Sequence, residues 1–148
     1  MEPSTEKAVA VLTAATNAKA SDIFIVAGLP LTYKVNGVLH SDGERLMPNT
    51  TELLIREIYA LTDGRPIEPF LASGDDDFSF ALPGLSRYRV STYKQRGSLA
   101  AVIRIIAFEL PDPNQLGIPQ SVLNLTSFTK GMILVTGPAG SGKSTTLA

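Results

Sequence analysis

Apolar residues near the start of the chain recur at helical spacing. Val9, Leu12 and Ala15 stand three residues apart. Ser4 and Thr5 precede them, and both residue types are good helix caps. This pattern predicts a first helix whose apolar face packs against a core.

A second helical pattern follows in the middle of the chain. Asn49 stands at the cap position with Glu52 three residues later, which is the spacing of a capping box. Gly64 is typical of a residue just beyond a helix end. The inner face of this predicted helix carries Leu54, Ile58 and Leu61. Residues 67–72 predict a short third helix.

The rest of the first hundred residues has the pattern of β-strands. Six strands are predicted, over residues 22–26, 31–35, 38–40, 78–82, 86–93 and 99–107. Asn36-Gly37 lies between the second and third strands and is the strongest short signal for a hairpin. The last three strands follow one another with short turns, which predicts an antiparallel meander. The fold class is therefore α+β, with one mixed domain over residues 1–110.

The pattern changes after this domain. Residues 111–119 (PDPNQLGIP) are rich in proline and glycine, so a linker is predicted over residues 111–120. A short helix is predicted over residues 121–125, and residues 132–136 (MILVT) have the texture of a buried parallel strand. Residues 121–148 are therefore interpreted as the incomplete start of an α/β domain.

The residues after this strand fit the pattern G-x-x-x-x-G-K-[ST]. Glycines let the backbone curl tightly and point its N–H groups at polyphosphate oxygens. Lys143 would place its ammonium on the β- and γ-phosphates of ATP, and the Ser144 hydroxyl would ligate Mg²⁺. The predicted nucleotide-binding residues are Gly137, Pro138, Ala139, Gly140, Ser141, Gly142, Lys143, Ser144 and Thr145. The alternative is a Gly/Ser-rich tail that matches by chance, and the preceding apolar run argues against it.

Composition narrows the class of protein. The formal net charge is −1, so nothing global attracts nucleic acid. No stretch is long and apolar enough for a membrane span, and the first residues lack a signal-peptide pattern. Cysteine is absent. The cytoplasm is the expected compartment.

Several stretches together resemble one protein family. They are ASDIFIVAGLPLTYKVNGVL, DDFSFALPGLSRYRVSTYKQRGSLAAVIRII, and LGIP followed by GPAGSGKSTTLA. Over nearly its whole length the chain is similar to the secretion-type motor ATPases of type IV pili and type II secretion, and most of all to the retraction type that powers twitching motility. The resemblance implies a PAS-like N-terminal domain joined by a linker to a RecA-like ATPase domain.

The resemblance also implies roles for two arginines. Arg89 and Arg104 match, in position and spacing, the N-terminal arginines that reach the ATP phosphates in this family. With Lys143 they are the predicted catalytic residues. Phe24 stands where relatives often have a histidine, so any role of that histidine is lost. The later acidic and histidine motifs of the family are not in this sequence, so the chain alone is expected not to hydrolyse ATP.

The family further implies an assembly and a location. Six copies of the full-length protein are expected to form a ring in which N-terminal and ATPase domains of neighbouring chains pack together. The ring is expected in the cytoplasm, peripheral at the inner membrane, with pilus or secretion platform proteins as partners.

The residues alone leave other interpretations of the arginines open. Arg89 and Arg104 could form structural ion pairs, with Asp76 or Asp77 as a partner. A basic patch of Arg87, Lys94 and Arg96, with Tyr88 and Tyr93 for stacking, could bind nucleic acid, although a subunit interface or solvated edge is favoured.

Two other functions and two other sites also stay open. The first domain could be a sensor or docking module that binds a ligand or a pilus-machine protein, and the chain could belong to an unrelated P-loop enzyme such as a small-molecule kinase. The run Asp75-Asp76-Asp77 is interpreted as the start of a strand rather than a metal site. The single histidine, His40, is interpreted as a surface residue at the end of the hairpin.

Overall fold

The chain divides into two compact units in a computed structural model. The structure describes residues 5–106, 112–138 and 140–147. The units are Met1–Phe108 and Glu109–Ala148. Within the described ranges, every helix is too short or too polar to cross a lipid bilayer.

The described part of the first unit contains three helices and six strands. The helices are α1 (Glu6–Asn17), α2 (Pro48–Ala60) and α3 (Glu68–Ser73). The strands are β1 (Asp22–Ile25), β2 (Pro30–Val35), β3 (Val38–Arg45), β4 (Asp75–Leu82), β5 (Ser86–Gln95) and β6 (Ser98–Ile106). The second unit contains α4 (Gln120–Leu123), a 3₁₀ turn (Asn124–Ser127) and α5 (Lys143–Leu147). The α+β class is thus confirmed.

All six strands form one antiparallel sheet in the order β3-β2-β1-β6-β5-β4. Asn36 and Gly37 have φ of 50° and 82°, and Arg96 and Gly97 have 49° and 81°. These left-handed pairs are what two-residue hairpin turns require. The predicted hairpin and meander are confirmed, and the pairing of β1 with β6 joins them. The first strand of the unit therefore lies beside the last.

One face of the sheet packs under the helices and forms the core. Its fully buried side chains include Ile23, Ile25, Tyr88, Val90 and Ile103 from the strands and Leu12, Ile55 and Phe70 from the helices. Successive strand residues point to opposite faces. The other face, called the open face below, therefore carries the exposed or half-buried side chains of the same strands, including Asp22, Arg89 and Arg104.

The start of α1 is capped from another helix. Thr5 is its N-cap residue, but the side chain makes no capping hydrogen bond. The Ala8 N–H instead donates to Oε2 of Glu57 on α2 at 2.9 Å. Ser4, the other predicted cap, lies outside the described residues. A buried carboxylate from α2 thus satisfies an amide that helix geometry leaves unpaired.

The predicted capping box of α2 is wrong. The helix begins at Pro48, with Met47 as its cap residue. Proline is favoured at the first helical position because its φ is already helical, so Asn49 falls inside the helix. Glu52 then pairs with Arg56 one turn later at 2.8 Å instead of reaching back to the helix start.

The predicted strand over residues 132–136 is also wrong for the structure described. These residues have no strand assignment. Met132 and Leu134 are 83% and 78% exposed. A strand is defined by backbone hydrogen bonds to a neighbouring strand. The described part of the second unit contains no strand that could pair with this segment.

Candidate functional site

A row of charged residues crosses the middle of the open face. Arg89 on β5 lies directly opposite Arg104 on β6. Arg104 in turn lies directly opposite Asp22 on β1. Opposed side chains on neighbouring antiparallel strands start about 5 Å apart. The register of the sheet therefore brings the two predicted arginines side by side.

Arg89 forms a two-point ion pair with Asp77 on β4. Its Nε and Nη2 donate to the two carboxylate oxygens at 3.1 and 3.3 Å. Ser91 Oγ donates to the same carboxylate at 3.0 Å. These donors, the guanidinium first, lower the pKa of Asp77, and the carboxylate raises the pKa of Arg89. The ion pair that the sequence left open is present, with Asp77 as the partner.

Arg104 is held by a single contact with Asp22. Its Nε lies 3.1 Å from the Asp22 Oδ1, and its side chain is 70% exposed. The Asp22 side chain is only 13% exposed and also accepts a hydrogen bond from Ser21 Oγ at 2.8 Å. The sequence predictions missed Asp22, because its role depends on the pairing of β1 with β6. Its only local signal is a polar residue at an open-face position.

These groups line one shallow recess that is open to solvent. The lining residues are Asp22, Asp77, Arg89, Ser91, Val102 and Arg104. A guanidinium has five N–H donors in a fixed planar arrangement. The single contact of Arg104 with Asp22 uses only Nε, and the Arg104 side chain is 70% exposed, so its remaining donors are accessible to a ligand. The recess is therefore suited to an oxyanion that brings several oxygens.

The neighbouring aspartate serves the core side of the sheet. Asp76 accepts hydrogen bonds from Arg65 Nε and Nη2 at 2.9 and 2.6 Å and from the Tyr59 hydroxyl at 2.8 Å. The Arg65 guanidinium is the main reason why the pKa of Asp76 is lowered. Burial raises the pKa of Tyr59 to about 12. Each of these two aspartates thus serves a different arginine, and the described residues contain no cluster of three metal-ligating side chains.

The basic patch lacks one of its proposed stacking groups. Tyr88 is fully buried, and its hydroxyl lies 2.8 Å from Thr16 Oγ1 on α1. A base cannot stack on it, so that part of the nucleic-acid interpretation is wrong. Lys94 donates to the Leu71 carbonyl in the last turn of α3. His40 lies exposed on β3, as predicted.

The glycine loop of the second unit curls around one carbonyl. The Pro138 oxygen accepts hydrogen bonds from Lys143 Nζ at 2.6 Å, Ser141 Oγ at 2.8 Å and the Ser141 N–H at 3.3 Å. Gly140 and Gly142 have φ of 78° and 88°, a left-handed conformation that residues with a side chain rarely adopt. Ala139 lies outside the described residues.

A short helix, α5, follows this loop. It begins at Lys143, and Ser144 and Thr145 lie exposed in its first turn. The loop therefore has a backbone curl that requires glycine, followed by a lysine and a hydroxyl group that a phosphate and its metal ion could reach.

Comparison with known proteins gives consistent matches. A family model described as "Type II/IV secretion system protein" matches residues 2–148. The type IV pilus retraction ATPase PilT of Pseudomonas aeruginosa is 37% identical over 130 residues, which is 87% of this chain. A crystal structure of the pilus retraction motor PilT with bound ADP matches 93% of the chain with a TM-score of 0.76 and 38% identity. The Legionella pneumophila ATPase DotB matches 98% with a TM-score of 0.63 and 26% identity.

The chain spans well under half of these proteins. It covers 37% of the P. aeruginosa PilT sequence and 40% of each of the two matched structures. The matched region includes both the sheet that carries the arginines and the glycine loop, since the family match extends over residues 2–148.

Proposed function

Because the chain belongs to the type II/IV secretion system protein family, we propose that the whole protein is an ATP-hydrolysing motor that powers type IV pilus retraction. The likeness to the pilus retraction motor PilT supports this function. The observation that carries it is the register of the open face, which sets Arg89 opposite Arg104. Two adjacent guanidiniums on a rigid sheet suit the terminal phosphates of ATP.

The proposed work of the arginines is electrostatic. A guanidinium stays protonated at all physiological pH values and matches pairs of phosphate oxygens with its planar donors. Charge that develops on the phosphate oxygens during transfer is stabilised by cations already held in place. The β5–β6 ladder sets Arg89 and Arg104 side by side, and a carboxylate contacts each of them.

The proposed work of the glycine loop is to hold Mg-ATP. The backbone from Gly137 to Gly142 would contact the phosphates, and the Lys143 ammonium would move from the Pro138 carbonyl to the β- and γ-phosphates. The exposed Ser144 hydroxyl would hold Mg²⁺, which neutralises phosphate charge when it is bound. The left-handed backbone at Gly140 and Gly142 supports this assignment, because a tight phosphate-binding curl needs glycine at such positions.

The proposed organisation follows the family. Residues 1–110 form a PAS-like domain, residues 111–120 a linker and residues 121–148 the start of a RecA-like ATPase domain. Six full-length chains assemble into a ring at the inner membrane and work on pilus or secretion platform proteins. The arginines of one domain then serve ATP held by another.

The proposal is tested on the full-length parent protein by measuring ATP hydrolysis and particle mass together. We expect turnover in particles near six subunits and none in Lys143→Ala. The control is Lys130→Ala, since Lys130 is an exposed lysine of the same unit. The 148-residue chain alone should show no turnover.

The arginine role is tested separately in the same assay. Arg104→Ala should lower kcat by about 100-fold, the usual effect of losing one charge-stabilising donor, without changing particle mass. Arg56→Ala is the matched control, because Arg56 pairs with Glu52 on the helix side of the sheet. Unchanged turnover in Arg104→Ala would disprove the arginine role. A monomer that transfers phosphate to a small acceptor would disprove the motor.

A further inference from the structure

The two arginines of the recess are held by their carboxylates in different ways. Arg89 uses Nε and Nη2, and these two donors lie on one edge of the guanidinium. That edge matches the two oxygens of a carboxylate or of a phosphate equally well. Asp77 therefore occupies one of the two edges of Arg89 that a phosphate could use for a two-point contact.

Arg104 keeps its outer donors available while its own carboxylate stays in place. Asp22 accepts a hydrogen bond from Nε of Arg104, and only 13% of the Asp22 side chain is exposed. Among the described residues, neither Nη group of Arg104 donates a hydrogen bond. An oxyanion can therefore approach the Nη1–Nη2 edge of Arg104 without removing Asp22, whereas an oxyanion that takes the Nε–Nη2 edge of Arg89 has to remove Asp77.

The Asp77 contact is open to exchange. The Arg89 and Asp77 side chains are 62% and 51% exposed, so water can solvate both groups when they separate. Exposed ion pairs of this kind are weak. Ser91 would still donate to the released carboxylate or to the arriving oxyanion.

We propose that Asp77 is an internal competitor of phosphate for Arg89. Phosphate binding at the Nε–Nη2 edge of this arginine then replaces one oxyanion by another, so a ligand with several charged oxygens is favoured over a singly charged one. Asp77 is a positioning residue, since it acts through Arg89. The proposal rests on the proposed phosphate contact of Arg89.

The test is a titration of the 148-residue chain with inorganic pyrophosphate, followed by NMR of the arginine Nε–H groups. We expect Asp77→Asn to bind pyrophosphate about two- to five-fold more tightly at Arg89, the effect of removing one exposed ion pair.

The matched control is Asp75→Asn. Asp75 lies on the same strand and face as Asp77, two residues away, and its substitution by asparagine removes the same charge. Asp75→Asn should change the affinity for pyrophosphate by less than about 1.5-fold in physiological salt, because exposed charges more than about 8 Å apart are largely screened. Equal tightening in Asp75→Asn and Asp77→Asn would show general electrostatics and overturn the proposal, as would binding in Asp77→Asn no tighter than in the wild type.

A second readout separates this proposal from the proposed function. In the full-length parent, Asp77→Asn should lower the KM for ATP and leave particle mass unchanged. If Arg104→Ala loses no turnover while Asp77→Asn still tightens pyrophosphate, the motor role of the arginines fails and the competition stands. If Arg104→Ala loses turnover and Asp77→Asn tightens nothing, the competition fails and the motor role stands.

Discussion

Residues 5–106 and residues 112–147 have similar local patterns but differ in how their hydrogen bonds are distributed. In the first region, side-chain hydrogen bonds join residues that are 49, 72 and 82 positions apart. In the described part of the second region, they span at most five positions. Long-range hydrogen bonds therefore join distant elements of the first region, whereas those of the second region hold only local turns.

The comparison shows what converts an apolar run into a strand. The run LAAVIRII becomes β6 because β1 and β5 flank it and bond its backbone on both sides. The run MILVT has the same β-rich texture, but no described strand pairs with it. Apolar, β-branched residues favour a strand only where a pleated surface exists for them to join.

The largest expected effect contrasts one apolar residue from each run. Ile103→Ala should lower the free energy of unfolding of the 148-residue chain by about 2–5 kcal/mol, because Ile103 is fully buried. Leu134→Ala should change it by less than about 0.5 kcal/mol, since Leu134 is 78% exposed. Urea unfolding followed by circular dichroism measures both values.

The same pair of variants sharpens the comparison in the full-length parent. If residues 132–136 form a buried strand there, Leu134→Ala should cost about as much as Ile103→Ala. A Leu134→Ala parent as stable as the wild type would mean that this run is not a core strand in any context.

The sequence predicted local features of the fold better than it predicted how the elements pair. The hairpin at Asn36-Gly37 and the alternation of β5 were readable because turn chemistry and burial act within a few residues. The partner of Arg104 could not be predicted, because Asp22 lies 82 positions away and contacts Arg104 only through the β1–β6 register. Asp77 was considered for Arg89 because a single short turn separates their strands.

The second prediction concerns hydrogen bonds of Tyr59 that join distant elements at the edge of the core. Tyr59 joins α2 to β5 and β4 through Thr92 and Asp76. Burial raises its pKa to about 12. The folded state therefore keeps this hydroxyl protonated where the unfolded chain loses its proton, so stability is fully present below pH 10 and is lost as pH rises toward 12.

This alkaline loss should be about 2–3 kcal/mol and should be reduced in Tyr59→Phe, which has no proton to lose. Unfolding measured from pH 8 to pH 12 tests it. Tyr93→Phe, a half-buried tyrosine of the open face, is the control. Parallel pH profiles for wild type and Tyr59→Phe would contradict the claim that the protonated Tyr59 hydroxyl stabilises the fold.

The third prediction tests capping between helices. Glu57→Ala removes the acceptor of the Ala8 amide and should cost about 1–3 kcal/mol, because that amide is then buried without a partner. Glu57→Gln keeps an acceptor oxygen and should cost less. The exposed Glu52→Ala is the control, and hydrogen exchange of the Ala8 amide should quicken only in the Glu57 variants. Equal exchange in Glu57→Ala and wild type would mean that α1 needs no partner helix.

The smallest expected effect concerns the partly exposed ion pair between Arg65 and Asp76 in the first region. Arg65 is the main cause that lowers the pKa of Asp76. The stability from this pair is therefore present at neutral pH and is lost as pH falls through the lowered pKa, below about pH 4. Asp76→Asn should cost about 1 kcal/mol at pH 7, and its difference from wild type should shrink on acidification, whereas Asp75→Asn should change little. If the charge of Asp76 holds the loop after α2, the difference in free energy of unfolding between Asp76→Asn and wild type should depend on pH. A constant difference from pH 7 to pH 3 would show that packing, not charge, joins that loop to β4.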